Sequence, residues 1–257
     1  DIREALHQGQ FHLAYQPKVN IRINQLQGLE ALLRWNSPTR GNVSPGNFIP
    51  VAEESGHIIP LGYWVLNEVC LTLRSWQDKG LTLVPVSVNV SARQFQQPDF
   101  HKRVAEVLRK HSIDPSLIEI ELTEGLVMED IDSAQRELAQ LKKIGLRISI
   151  DDFGTGYSCL SYLRRFPIDV LKIDKSFVQE IGGSRDGESI IDAIISLAKS
   201  LRLETVAEGV ETAAQLHYLL DHGCHVVQGF LFGKPMEMHL IEPLLAALEQ
   251  GGTDSTA

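Results

Sequence analysis

Leu117–Phe153 reads LIEIELTEGLVMEDIDSAQRELAQLKKIGLRISIDDF. An alternating apolar run, LIEIELTE, is followed by a helical pattern from Ser133 to Ile144 and then by a second extended run, GLRISIDDF. A strand, a helix and another strand in that order are the signature of a parallel sheet covered by helices. The alternation continues in both directions. Candidate strands HLAYQPKVN, LQGLEALLRW and VPVSVNVSA precede this unit, and VLKID, LETVAEGVE and HVVQGFLF follow it, making eight with the two already named. Helical patterns cover Leu61 to Trp76, Phe100 to Lys110, Glu188 to Leu201 and Thr212 to Asp221, with shorter ones expected at Ile49 to Ser55 and Tyr157 to Arg165. The first two strands are joined only by the polar IRINQ, which favours a hairpin, so the first strand should be antiparallel to its neighbour. Eight strands favour a closed α/β barrel over an open sheet. Gly182 to Gly187 reads as a mobile loop and GGTDSTA, residues 251–257, as a disordered tail, leaving residues 1–250 as one domain.

A length of 257 residues suits one large barrel domain. The net charge of -9 argues against duplex nucleic acid as a partner, since that binding depends on lysine and arginine neutralising phosphates. Cys70, Cys159 and Cys224 are odd in number and far apart, which indicates neither a disulfide framework nor a zinc site and points to a reducing, cytoplasmic setting. No segment has the apolar length of a membrane span, and the N-terminus lacks the pattern of a signal peptide. No membrane contact is therefore expected within these residues. The start at Asp1, without Met, suggests a piece of a longer protein whose other parts could include a membrane anchor.

GLRISIDDF poses a question, because consecutive side chains of a strand point to opposite faces. Asp151 and Asp152 can converge only if the strand ends between them, and taken alone the pair reads as a solvated loop or a cap. The other strands change that reading. Each apolar run after the first meets a polar residue: Glu30, Asn89, Glu121, Asp151 with Asp152, Lys172, Glu208 and Gln228. Barrel enzymes draw their reacting groups from such strand ends. Lys172 alone could equally be a structural partner of Asp169 or Asp174. Convergence would crowd Glu30, Glu121, Asp151, Asp152 and Glu208 into one pocket, with Lys172 and Arg34 as the nearby cations. Two divalent cations would supply the missing charge, and carboxylate and amide oxygens suit Mg²⁺ or Mn²⁺. Asp151 would bridge the pair and Asp152 would hold one ion, an arrangement found in hydrolases of phosphate esters. None of the nine histidines falls in a metal-binding pattern. The Gly154–Gly156 turn follows the aspartates directly and could carry Asp152 into or out of coordination.

EALLRW at Glu30 to Trp35 resembles the signature of the EAL domain, a bacterial cyclic di-GMP phosphodiesterase family. The resemblance continues through YQPKV (Tyr15 to Val19), FIPVAEESG (Phe48 to Gly56), SVNVSARQF (Ser87 to Phe95), ELTE (Glu121 to Glu124), IDDFGTGYSCL (Ile150 to Leu160), LKIDKSFV (Leu171 to Val178), AEGVET (Ala207 to Thr212) and QGFLFGKP (Gln228 to Pro235). It implies a modified TIM (β/α)8 barrel with an antiparallel first strand, and hydrolysis of cyclic di-GMP to linear pGpG. It also implies that Glu30, Asn89, Glu121 and Asp151 bind one metal, with the aspartate pair and Glu208 around the second. Lys172 would contact the attacking water, while Gln16, Arg34 and Gln228 would serve the substrate. Glu124 would anchor the loop after the aspartates, Glu211 would be a further acid near the second metal, and the helix after that loop would contribute to a homodimer. Cys159 and Phe230 depart from the usual serine and tyrosine, both outside the metal shell.

Two rivals stand beside the enzyme reading. A catalytically silent receptor would bind cyclic di-GMP without cutting it, usually after losing ligands that this chain keeps. Another metal-dependent barrel, of aldolase or enolase type, would also place carboxylates at strand ends, but its chemistry has no evident place for the amides of Asn89 and Gln228.

Overall fold

The structure, a computed structural model, describes residues 1–155, 163–183 and 185–251. Nine strands form one sheet: β1 (Phe11–Asn20), β2 (Gln25–Ser37), β3 (Gly41–Val43), β4 (Val86–Asn89), β5 (Ile118–Thr123), β6 (Arg147–Phe153), β7 (Val170–Ile173), β8 (Glu204–Ala207) and β9 (Val226–Gln228). From β2 the sheet runs in parallel through β4, β5, β6, β7, β8 and β9. β1 closes it by pairing antiparallel with both β2 and β9. The closed structure is thus an eight-stranded modified TIM barrel with an antiparallel first strand, and β3 extends the β1–β2 hairpin outside it. The hairpin follows from the short polar link, which is too short for a helical crossover.

The helices Ile58–Asp78, Phe100–His111, Ile131–Ile144, Arg185–Leu201 and Ala213–His222 cover the barrel. Each turns an apolar stripe inward; Leu61, Val65, Val69, Leu73 and Trp76 of the first are buried at helical spacing. Ile131–Ile144 starts at Asp130, whose side chain accepts from the Ser133 amide, and stops at Gly145, whose positive φ caps it. The large apolar core lies between the strands and these helices. A second cluster joins Ile2, Phe11, Trp35, Phe48 and Leu61 beneath the hairpin. The barrel interior is different. Its small apolar cluster is Val170, Val206 and Val226, and beside them lie Lys18, Ser87, Glu119, Arg147 and Glu204.

Several elements differ from the sequence expectations. The helix Arg185–Leu201 begins within the stretch read as a mobile loop, with Asp186 and Glu188 in its first turn, where acids favour the helix dipole. The N-terminal helix Ile2–His7 and the helix Met238–Gly251 were not expected. The first is short, and Pro243 interrupts the periodicity of the second. The expected helix at Tyr157 to Arg165 falls mostly outside the described residues, as do Cys159 and residues 252–257 of the expected tail.

Candidate active site

Asp151 and Asp152 approach one another without the strand ending between them. β6 continues to Phe153, and its register against β7 shifts between Ile150 and Phe153. Asp152 sits in this bulge at φ 53°, a left-handed conformation that aspartate tolerates better than most residues. The bulge, rather than a strand terminus, turns two consecutive carboxylates toward the same space. One carboxylate oxygen each from Asp151, Asp152 and Glu208 lie within 4.8 Å of one another.

The other residues arrive from neighbouring strands. Asn89 and Gln228 end β4 and β9, while Glu121 and Lys172 lie near the ends of β5 and β7. Glu208 is one step beyond β8. Glu30 is internal to β2, because that strand runs on as a hairpin after its pairing with β4 stops at Ala31. Asn89 Nδ2 donates to Glu30 Oε1 at 2.7 Å, and Gln228 Nε2 donates to Glu30 Oε2. Gln228 also donates to Gln16 Oε1 at 3.0 Å, and Gln16 in turn reaches the carbonyl of Gly233. The buried Oε1 of Gln228 has no hydrogen-bond partner among the described residues.

Lys172 is fully buried at the centre of this group. Its Nζ lies 2.6 Å from Glu208, 2.9 Å from Glu121, 3.1 Å from Asp151 and 4.0 Å from Glu30. An unpaired ammonium would cost several kcal/mol or more to bury, and these carboxylates offset that cost. Asp169 is not its partner, since it pairs with Lys142 at 2.8 Å.

One lysine does not neutralise the acids. Burial, reinforced by Asp151 and Glu30 against the pull of Lys172, pushes Glu208 up to about 8. Burial and the neighbouring Asp151 and Asp174 carboxyls raise Asp152 to about 6, and burial also raises Glu30. Glu121 goes the other way. Burial opposes its ionisation, but Lys172 and Lys18 outweigh burial and hold it at about 2. Glu208 is therefore the carboxyl whose proton a cation bound in this pocket would displace at neutral pH.

Arg34 is half-buried beside a groove of about 360 Å³ whose walls include Ile49, Leu61, Val65 and Leu126, with Asn89 at its edge. Glu124 is buried, and its Oε2 accepts from the Gly154 amide at 3.1 Å, tying the segment after the aspartates to the end of β5. Glu211 is exposed three residues past Glu208. Sequence reasoning overlooked Lys18 and Glu119, and named Asp174 only as a candidate partner of Lys172, whereas it lies beside Asp152. Lys18 lies two residues from Gln16, and Glu119 two from Glu121, so the period of two along each strand carried the signal.

The EAL domain profile matches residues 1–235. Over 248 residues, 96% of this chain, the sequence is 45% identical to a bifunctional diguanylate cyclase/cyclic di-GMP phosphodiesterase, MucR, of Pseudomonas aeruginosa. It is 42% identical over 236 residues, 92% of the chain, to the cyclic di-GMP phosphodiesterase PdeR of Escherichia coli. The chain spans 36% and 35% of those two proteins. Among solved structures, a PaMucR phosphodiesterase in complex with c-di-GMP is similar with a TM-score of 0.91 at 45% identity, over 94% of this chain and 98% of that one.

Proposed function

This chain belongs to the EAL-domain family, and we propose that it is a metal-dependent phosphodiesterase hydrolysing cyclic di-GMP to linear pGpG. The observation that carries this reading is the set of five carboxylates, Glu30, Glu121, Asp151, Asp152 and Glu208, gathered around Lys172. The donors are hard oxygens and outnumber the cation among them, which fits two Mg²⁺ or Mn²⁺ ions. Glu30, Asn89, Glu121 and Asp151 would hold one ion, and Asp151, Asp152 and Glu208 the other, with Glu211 nearby. Bound there, such ions supply Lewis acidity toward a phosphate oxygen and make water more acidic.

The protein's own groups do the rest. Lys172 holds the Glu208, Glu121 and Asp151 carboxylates in one arrangement and offers its charge where the attacking oxygen develops. Arg34 suits a phosphate of the substrate, because a guanidinium can give two parallel hydrogen bonds to it. The groove beside it suits an apolar-faced base, and Gln228 Oε1, next to Gln16 and without a partner among the described residues, can accept from a water or a substrate donor. Glu124 keeps the segment that follows Asp152 against the site. A homodimer and a cytoplasmic setting belong to the same proposal; sedimentation velocity reads the first.

Incubation of the chain with cyclic di-GMP and Mg²⁺, resolved by chromatography, tests the reading. Linear dinucleotide should form with the wild type and not with Glu30→Ala. Nucleotide that binds but remains intact would leave a receptor instead, and full activity of Glu30→Ala would overturn the site assignment.

A further inference from the structure

Resting on that active-site reading, we infer that Lys18 is a positioning residue, which aims Glu121 from inside the barrel. Lys18 lies on the antiparallel strand β1 and is buried. Its Nζ donates to Glu121 Oε1 at 2.7 Å, to Glu119 Oε1 at 3.0 Å and to Ser87 Oγ. An ammonium has three donors, and three acceptors use them all. The other oxygen of Glu121 lies 2.9 Å from Lys172 Nζ. Each oxygen of this carboxylate is thus held by a different lysine, which fixes the plane of the group.

The anchoring continues away from the site. Ser87 Oγ donates to Glu119 at 2.9 Å, and Arg147 reaches Glu119 at 3.2 Å and Glu204 at 2.7 Å. Glu119 would therefore keep Arg147 and Ser87 if Lys18 were lost, and Glu121 would keep Lys172. What only Lys18 supplies is direction. Without it, Glu121 can turn both oxygens onto Lys172 and draw that ammonium away from Glu208 and Asp151. Groups that orient metal ligands in this way commonly matter about 10- to 100-fold in affinity or activity.

The test uses Lys18→Met and the double variant Lys18→Met/Glu119→Gln, in which the carboxylate that faced the lysine is neutralised as well. Four quantities are measured: melting temperature in EDTA, the Mn²⁺ dissociation constant without nucleotide, and kcat and KM for cyclic di-GMP. The double variant should melt closer to the wild type than Lys18→Met does. Its Mn²⁺ binding should nevertheless weaken about tenfold and its kcat fall about 10- to 100-fold, with KM within about threefold. Weaker binding is the informative sign, because the double variant loses one positive and one negative charge together, and that exchange alone leaves the net charge around the site unchanged. Wild-type Mn²⁺ affinity and kcat in the double variant, or tighter Mn²⁺ binding, would overturn the inference. So would a double variant that does not fold, which would make Lys18 a structural residue. If the wild type itself does not cleave cyclic di-GMP, the functional reading fails, and the Mn²⁺ constants alone decide the role of Lys18.

Discussion

The two halves of the barrel interior each hold a buried lysine against carboxylates, yet their charges are balanced differently. Toward the N-terminal end of the parallel strands, Lys18 and Arg147 face Glu119 and Glu204, and Glu119 is held below its usual range although burial opposes its ionisation. At the C-terminal end Lys172 meets Glu30, Glu121, Asp151 and Glu208, with Asp152 adjoining, and Glu208 and Asp152 are pushed up. The first half is a closed network of ion pairs that asks for nothing further. The second carries more acid than its lysine can neutralise, which is a standing demand for cations. Glu121 joins the two, being bonded to both lysines.

Lys172→Met should break this comparison most severely. With its charge gone from the reacting centre, kcat should fall roughly 100- to 1000-fold. Mn²⁺ should still bind, since the oxygen ligands remain; calorimetry without nucleotide checks that, and loss of binding would recast Lys172 as a structural residue.

The pH dependence sharpens the contrast. A carboxyl whose folded pKa is raised stabilises the fold while it keeps its proton and loses that stability as pH rises. For Glu208, from 4.5 to about 8, the metal-free protein should therefore become less stable across this interval. Over the upper part of the same range Mn²⁺ affinity should rise, by about tenfold per pH unit for each proton displaced. Thermal melts in EDTA and Mn²⁺ titrations at pH 6, 7 and 8 read both slopes. An affinity independent of pH would mean that the pocket is not protonated.

A smaller effect belongs to the loop. Glu124→Gln weakens the acceptor for the Gly154 amide and should lower kcat about tenfold while changing metal affinity less. Equal losses in both would place Glu124 closer to the metals than the structure does.

The alternation of strand and helix, the hairpin and the strand-end acids were legible because each is a local pattern. The geometry of the aspartate pair was not. A left-handed φ at Asp152 and a register shift against β7 depend on how two strands meet, and nothing in the letters DD distinguishes a bulge from a strand end. The lower network was also hidden. Lys18, Glu119, Arg147 and Glu204 sit in extended runs where polar and charged residues interleaved with apolar ones read as a solvent face, and only closure of the barrel turns that face inward. The helix Met238–Gly251 was missed for the opposite reason: Pro243 breaks its local pattern, while Ile241 and Leu245 pack in the core.

The central claim is that the C-terminal half of the barrel holds its surplus acid for metal. Calorimetric titration of Mn²⁺ into the metal-free chain at pH 7, in two buffers of different ionisation enthalpy, tests it most directly. The account predicts two ions bound per chain with net release of protons, and both effects diminished in Asp151→Asn. Binding without proton release, or an unchanged titration in Asp151→Asn, would contradict it.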